Sequence, residues 1–72
     1  MQNLIGTTAG QIWQYLSRNN YTLTAQKFIT TTRLKTALGV SDRILHLALG
    51  WLSRENKIEI EAAENTFRVS LK

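Results

Sequence analysis

The chain has 72 residues, 43% of them hydrophobic, and contains neither cysteine nor proline. Because so short a chain builds one small core, we expect a single domain over residues 1–72. The lack of cysteine excludes disulfides and cysteine-based metal sites, and "MQNLIGTTAG" has neither the basic start nor the long apolar run of a signal or membrane segment, so we expect a cytoplasmic protein.

The chain is basic, with a formal net charge of +4 and a pI near 10.0. The charge is unevenly distributed: residues 1–54 hold six Lys and Arg against one Asp, whereas residues 55–72 hold three against four Glu. A basic excess of this kind suggests a nucleic-acid partner, and it belongs to the part of the chain that precedes residue 55.

The first predicted element is a helix over residues 8–19, "TAGQIWQYLSRN". Thr8 and Gln11 have the spacing of a capping box, in which each side chain accepts a hydrogen bond from the backbone amide of the other residue. Apolar residues then recur at helical spacing, with Trp13 and Tyr15 beside them. The stripe consists of Ile5, Ala9, Ile12 and Leu16.

Residues 21–30, "YTLTAQKFIT", allow two interpretations. The β-branched and aromatic residues of "KFIT" favour a brief strand that pairs with a later hairpin. A short helix from Thr24 is the competing prediction, because it would place Ala25, Phe28 and Ile29 on one face.

The next segment has the start and stop signals of two helices joined by a tight turn. Thr30 or Thr31 can cap a short helix over "TTRLKTAL", in which Leu34, Ala37 and Leu38 share one side. Gly39 can end that helix, and Ser41 with Asp42 can cap a second one that runs from about Asp42 to Glu55. The pair is a helix-turn-helix.

The last segment changes to a period of two, which predicts a β-hairpin. Ile58, Ile60 and Ala62 alternate with glutamates, and Phe67, Val69 and Leu71 alternate with Arg68, Ser70 and Lys72. The turn is expected near Ala63 to Thr66, and the polar faces should set Glu opposite Arg or Lys.

This order of elements resembles a winged helix-turn-helix domain: mainly α, with three helices and a small C-terminal β-hairpin as the wing. The strings "AGQIW" and "ALGWLSRE" more narrowly resemble a small bacterial winged-helix family of short proteins of unknown function. The chain departs from that pattern by extra residues between its first two helices. The resemblance implies the fold, and it implies nucleic-acid binding by analogy with winged helices in general.

In a helix-turn-helix, the outward side of the second helix of the pair contacts the major groove. Helical spacing predicts that Leu45, Ala48, Leu49 and Leu52 face inward. The outward side then carries Arg43, His46, Leu47, Gly50, Trp51 and Arg54, with Ile44 at its border. The candidate nucleic-acid contacts are Arg33, Lys35, Arg43, His46 and Arg54. The basic footprint for phosphates is formed by Arg33, Lys35, Arg43 and Lys57.

Two features weaken that assignment and open an alternative. Glu59, Glu61 and Glu64 would repel phosphates from the wing. Ile44, Leu47 and Trp51 lack the groups that usually read bases, so they instead suggest a surface for another protein or a second copy. The favoured interpretation is that Trp51, and with it Trp13, packs between the first and third helices as a core residue, with Gly50 allowing close backbone approach.

Nothing in the sequence indicates an enzyme. His46 is the only histidine, Asp42 is better placed as a cap, and no strand precedes Gly6 and Gly10 as a phosphate-binding loop would require. We therefore expect no metal, cofactor, small-molecule substrate or membrane partner. The prediction is a non-enzymatic nucleic-acid-binding protein, foremost of DNA but with RNA open, in a regulatory role.

Overall fold

The computed structural model describes residues 2–72, with the side chains of residues 4–72. Three helices and a three-stranded antiparallel sheet form around one core, which confirms the winged-helix fold. In chain order the elements are α1 (Gln2–Arg18), β1 (Ile29–Thr30), α2 (Thr31–Leu38), α3 (Asp42–Arg54), β2 (Ile58–Ala63) and β3 (Thr66–Leu71).

Helix α1 begins six residues before the predicted start, so the capping box at Thr8 and Gln11 is wrong. Thr8 lies inside the helix and is only 1% exposed, because it falls on the side that packs against the core. Ile5, one turn before Ala9, also packs against the core. The helical period therefore extends toward the N-terminus past the residues that resembled a cap.

The segment between α1 and α2 follows the strand alternative. Ile29 pairs with Val69 and Thr30 with Arg68, which makes β1 an edge strand beside β3. The predicted helix from Thr24 is wrong, since this stretch forms a turn in which the amide of Gln26 donates to the carbonyl of Leu23 at 3.0 Å. Gln26 takes a positive φ of 53°, which a helix does not permit.

The capping signals around the helix-turn-helix are confirmed. The Thr30 hydroxyl accepts from the Arg33 amide at 3.2 Å, and the Ser41 hydroxyl accepts from the Ile44 amide at 3.2 Å. Gly39 ends α2 with φ +66°, a left-handed conformation that glycine adopts without a Cβ clash. The turn that fixes the angle between α2 and α3 is thus set by local side-chain chemistry.

The wing is the predicted hairpin, and β3 is its central strand in the order β1-β3-β2. Ile58 pairs with Leu71 and Ile60 with Val69, and the turn falls at positions 64–65. One expectation is wrong: Ser70 is fully buried instead of lying on an exposed polar face. On the same face of β3, two residues before Ser70, the Phe28 ring lies over Arg68, with 5.2 Å between the ring centroid and Cζ.

The core draws on every helix and strand. Its buried apolar members are Ala9, Ile12, Leu16, Ile29, Leu34, Leu45, Ala48, Leu49, Leu52, Ile58, Val69 and Leu71. Among residues 2–72, no helix combines the length and the apolarity that crossing a membrane demands.

Candidate nucleic-acid interface

Helix α3 has one side in the core and the opposite side in solvent. Leu45, Ala48, Leu49 and Leu52 are each no more than 3% exposed, which confirms the predicted inward stripe. Arg43, His46, Leu47, Gly50, Trp51 and Arg54 are all exposed, and Ile44 is half-buried at the border. The helix that a helix-turn-helix would place in a major groove therefore presents the predicted set of side chains outward.

Arg43 and Arg54 stand on the same outward side of α3. They are eleven residues apart, close to three turns of an α-helix. At about 1.5 Å per residue their Cα atoms lie about 16 Å apart along the axis. At that separation the two guanidiniums can contact two different phosphates of a duplex.

Within the described side chains, four arginines form no ion pair: Arg18, Arg33, Arg43 and Arg54. Three of them lie on the helix-turn-helix, on α2 and α3. The other described cations are engaged inside the molecule. Lys57 pairs with Glu55 at 3.5 Å, and the Lys27 ammonium donates to the Asn19 carbonyl at 3.0 Å.

Two predicted contact residues are tied to Asp42, the only carboxylate before residue 55. The Lys35 ammonium lies 3.2 Å from an Asp42 carboxylate oxygen, so its charge is partly compensated. The His46 Nδ1 lies 2.7 Å from the Asp42 carbonyl oxygen, which can only accept. Nδ1 therefore carries the proton and donates, and Nε2 is the ring atom left for a ligand: it accepts when the ring is neutral and donates only when the ring is charged.

The wing carries acids that are mostly neutralised by its own cations. Glu61 pairs with Arg68 directly across the hairpin, and Glu59 lies 3.8 Å from the Lys72 ammonium. These are the predicted cross-strand charge pairs. Since Arg68 and Lys72 are both engaged, the wing presents no unpaired cation to a phosphate in the part of the chain that is described, and the free positive charge remains on α2 and α3.

The outward side of α3 also exposes apolar surface. Leu47 is 42% exposed and Trp51 is 41% exposed. They border a groove of about 610 Å³ that reaches from Ile5 on α1 to Arg54 and Glu55 at the end of α3. The arginines thus frame an apolar strip instead of the amide and hydroxyl groups that usually read base edges.

The tryptophans do not fill the space between α1 and α3, so their prediction as packed core residues is wrong. Trp13 is 45% exposed, and both indoles stand at the rim of a groove between the two helices. Gly50 does not mediate a close approach either, because a Cβ added there would meet nothing within 4 Å. The described core is complete without either indole.

The family described as a winged helix-turn-helix domain, DUF2582, matches residues 1–71. The chain belongs to this family. No curated protein and no solved structure matches the chain. Winged helix-turn-helix domains commonly bind nucleic acid, often bind DNA or proteins, and are typically non-enzymatic. In the described residues of this DUF2582 domain, no three His, Cys, Asp or Glu side chains are grouped to hold a metal ion.

Sequence reasoning missed two features of the DUF2582 surface. The contact between His46 and Asp42 had a signal, since the two residues are one helical turn apart, but the Lys35–Asp42 ion pair had none, because it joins α2 to α3 across the turn. The groove beside Trp13, between α1 and α3, also had a sequence signal: Gly6 and Gly10 are four residues apart and therefore share a side of α1.

Proposed function

We propose that this winged-helix domain binds duplex nucleic acid, foremost DNA, through α3 and α2 and acts as a regulatory protein. The observation that carries the proposal is the placement of Arg33, Arg43 and Arg54: three exposed guanidiniums on the helix-turn-helix that no carboxylate of the described residues neutralises. Unpaired arginines are suited to phosphate, which they bind in a bidentate manner.

In this proposal α3 lies in the major groove. Arg43 and Arg54 contact separate phosphates near the two ends of α3, and Arg33 on α2 contacts the backbone outside the groove. His46 offers Nε2 to a base edge. Lys35 contributes less, since binding a phosphate would draw it away from Asp42. With Leu47 and Gly50 at its centre, the surface favours affinity for the backbone over discrimination among sequences.

The test is a fluorescence-anisotropy titration of a labelled 20-base-pair DNA duplex at low salt. We expect R43A and R54A each to weaken binding by about tenfold, equivalent to about 1.4 kcal/mol. R18A is the matched control, because Arg18 is also exposed and unpaired but ends α1, outside the helix-turn-helix. Equal losses in all three variants would mean that only net charge matters, and no binding by the wild type would refute the proposal. A duplex RNA in parallel decides between the two nucleic acids.

A second candidate function is protein binding through Leu47 and Trp51, with Ile44 at the edge. The observation that favours it is the exposure of Leu47 and Trp51 beside the 610 Å³ groove, because contiguous apolar surface on a small domain often marks a partner site. The same titration separates the candidates, since this one predicts no salt-dependent complex with a duplex.

A further inference from the structure

A second groove lies between α1 and α3, on the other side of Trp51 from the one described above. It has a volume of about 310 Å³, and its wall on α1 is made of Gly6, Ala9, Gly10, Trp13 and Gln14. Trp51 stands on the α3 side, with Glu55 and Lys57 at the end. Both tryptophans of the chain therefore border one groove and are nearly half exposed there.

The two α1 glycines in this groove serve no internal packing. A Cβ added at Gly6 or at Gly10 would meet nothing within 4 Å, and neither residue has a positive φ that would require glycine. Each glycine inside a helix costs about 1 kcal/mol relative to alanine. The absent side chains leave a depression on α1 that the folded monomer does not use.

Helix α1 is also unusually poor in charge for a surface helix. Arg18, its last residue, is its only charged side chain, although 19% of the whole chain is charged. Depletion of charge together with exposed aromatic residues is the composition found at the centre of protein interfaces. At the end of the groove, Glu55 and Lys57 neutralise each other at 3.5 Å.

We propose that two copies of this chain associate through this groove, with their α1 helices antiparallel about a two-fold axis near Gly10. Trp13 lies seven residues, or about two turns, after Gly6 and therefore on the same side of α1. An antiparallel pair places Trp13 of each copy over Gly6 and Gly10 of the other, so each indole fills the depression that the glycines leave. A two-fold interface requires this self-complementarity, in which residue i contacts j and j contacts i.

A second copy fits this surface better than a charged partner does. Each chain carries a net charge of +4, but the α1 groove has no net charge, so two copies can meet there without bringing their unpaired arginines together. A helix of 17 residues is about 25 Å long, and one helix with Trp51 is a small contact surface, so we expect an interface at the small end of specific interfaces. The expected dimer is accordingly weak, with a dissociation constant in the micromolar range.

The inference goes beyond the proposed function and does not depend on it. Trp51 lies eight residues after Arg43, which turns it about 80° around α3 at about 100° per residue. Neither Arg43 nor Arg54 lines the groove, so we expect the dimer to cover the flank of α3 next to α1 and to leave the two arginines exposed. The dimer can form whether or not the arginines bind a duplex.

The test is sedimentation equilibrium of the full chain from about 1 to 500 µM. We expect a wild-type dimer with a dissociation constant below about 100 µM, and G10L should raise that constant at least tenfold by filling the depression. T7L is the matched control: it adds the same side chain to an exposed position of α1 that lines neither groove, and should leave the dimer intact. Circular dichroism verifies that each variant is folded.

Intrinsic fluorescence provides an independent measurement, because the only two tryptophans lie at the proposed contact. Dilution of the wild type should shift the emission to longer wavelength, and T7L should behave in the same way. Should G10L fail to fold, W13A, which keeps the α1 backbone unchanged, replaces it with the same expected loss. A wild type that stays monomeric to 500 µM overturns the proposal, as does a folded G10L or W13A that dimerises as well as T7L.

Discussion

Replacement of Gly50 by alanine should stabilise the protein. Gly50 lies in the middle of α3 with a helical, negative φ, and a Cβ there would meet nothing within 4 Å. The substitution therefore removes the conformational entropy of a glycine without creating a clash, which gives about 1 kcal/mol of additional stability. In a domain of this size that corresponds to an increase in Tm of about 4–8 °C.

Gly39 provides the matched comparison, because it is also free of neighbours within 4 Å but has φ +66°. An alanine at Gly39 must adopt a left-handed conformation, which costs about 1–2 kcal/mol. Urea denaturation followed by far-UV circular dichroism measures both variants without relying on Trp51, the neighbour of Gly50. The expected changes have opposite signs: G50A raises the free energy of unfolding and G39A lowers it.

The reasoning would be refuted if G50A were neutral or destabilising, since α3 would then have a neighbour at Gly50 that the fold does not show. The G50A variant also tests the proposed duplex binding. Gly50 lies between Arg43 and Arg54 on the outward side of α3, so in the proposed complex it faces the floor of the groove. We expect G50A to weaken duplex binding while it stabilises the free protein.

Two further substitutions test the packing and the caps. T30A should lower the free energy of unfolding by about 1 kcal/mol, because the Thr30 hydroxyl caps α2 by accepting from the Arg33 amide. An unchanged urea midpoint would show that this cap does not stabilise the fold. S70A should leave stability unchanged or increase it, because the Ser70 hydroxyl is buried and no described residue hydrogen-bonds to it; a loss of more than about 1 kcal/mol would reveal a partner for that hydroxyl.

The helix-turn-helix could be predicted from the sequence because the ends of α2 and α3 are set by residues adjacent in the chain. Thr30, Gly39 and Ser41 act within one turn of the backbone they cap, so their chemistry is readable without the tertiary structure. The inward stripe of α3 was equally local, since the helical period alone placed Leu45 and Leu49 on one side.

The remaining features depended on contacts between distant residues. Thr8 matched a capping box, but its burial against the core depends on the packing of α1, which no local pattern contains. Residues 29–30 form a strand only because β3, far along the chain, supplies the pairing. Trp13 and Trp51 were expected in the core because aromatic residues of small domains are most often buried, yet aliphatic side chains fill it.

The ion pairs within the wing change the expected effect of its glutamates on a duplex. Glu59 and Glu61 suggested a wing that repels phosphate, and the structure gives each of them a cation of the same hairpin. With Glu59 and Glu61 paired, and Glu64 in no ion pair among the described residues, the wing does not attract a duplex and repels it less than its three glutamates suggest. The affinity of the proposed complex must therefore come from α2 and α3.

The most direct test of the central claim is the salt dependence of duplex binding. Each phosphate contact contributes about 0.9 to the slope of log K against log salt concentration, so the double variant R43A/R54A should have a slope that is smaller by about 2 than that of the wild type. R18A should keep the wild-type slope. A double variant with the wild-type slope would contradict the account, because the phosphate contacts would then lie somewhere other than on the outward side of α3.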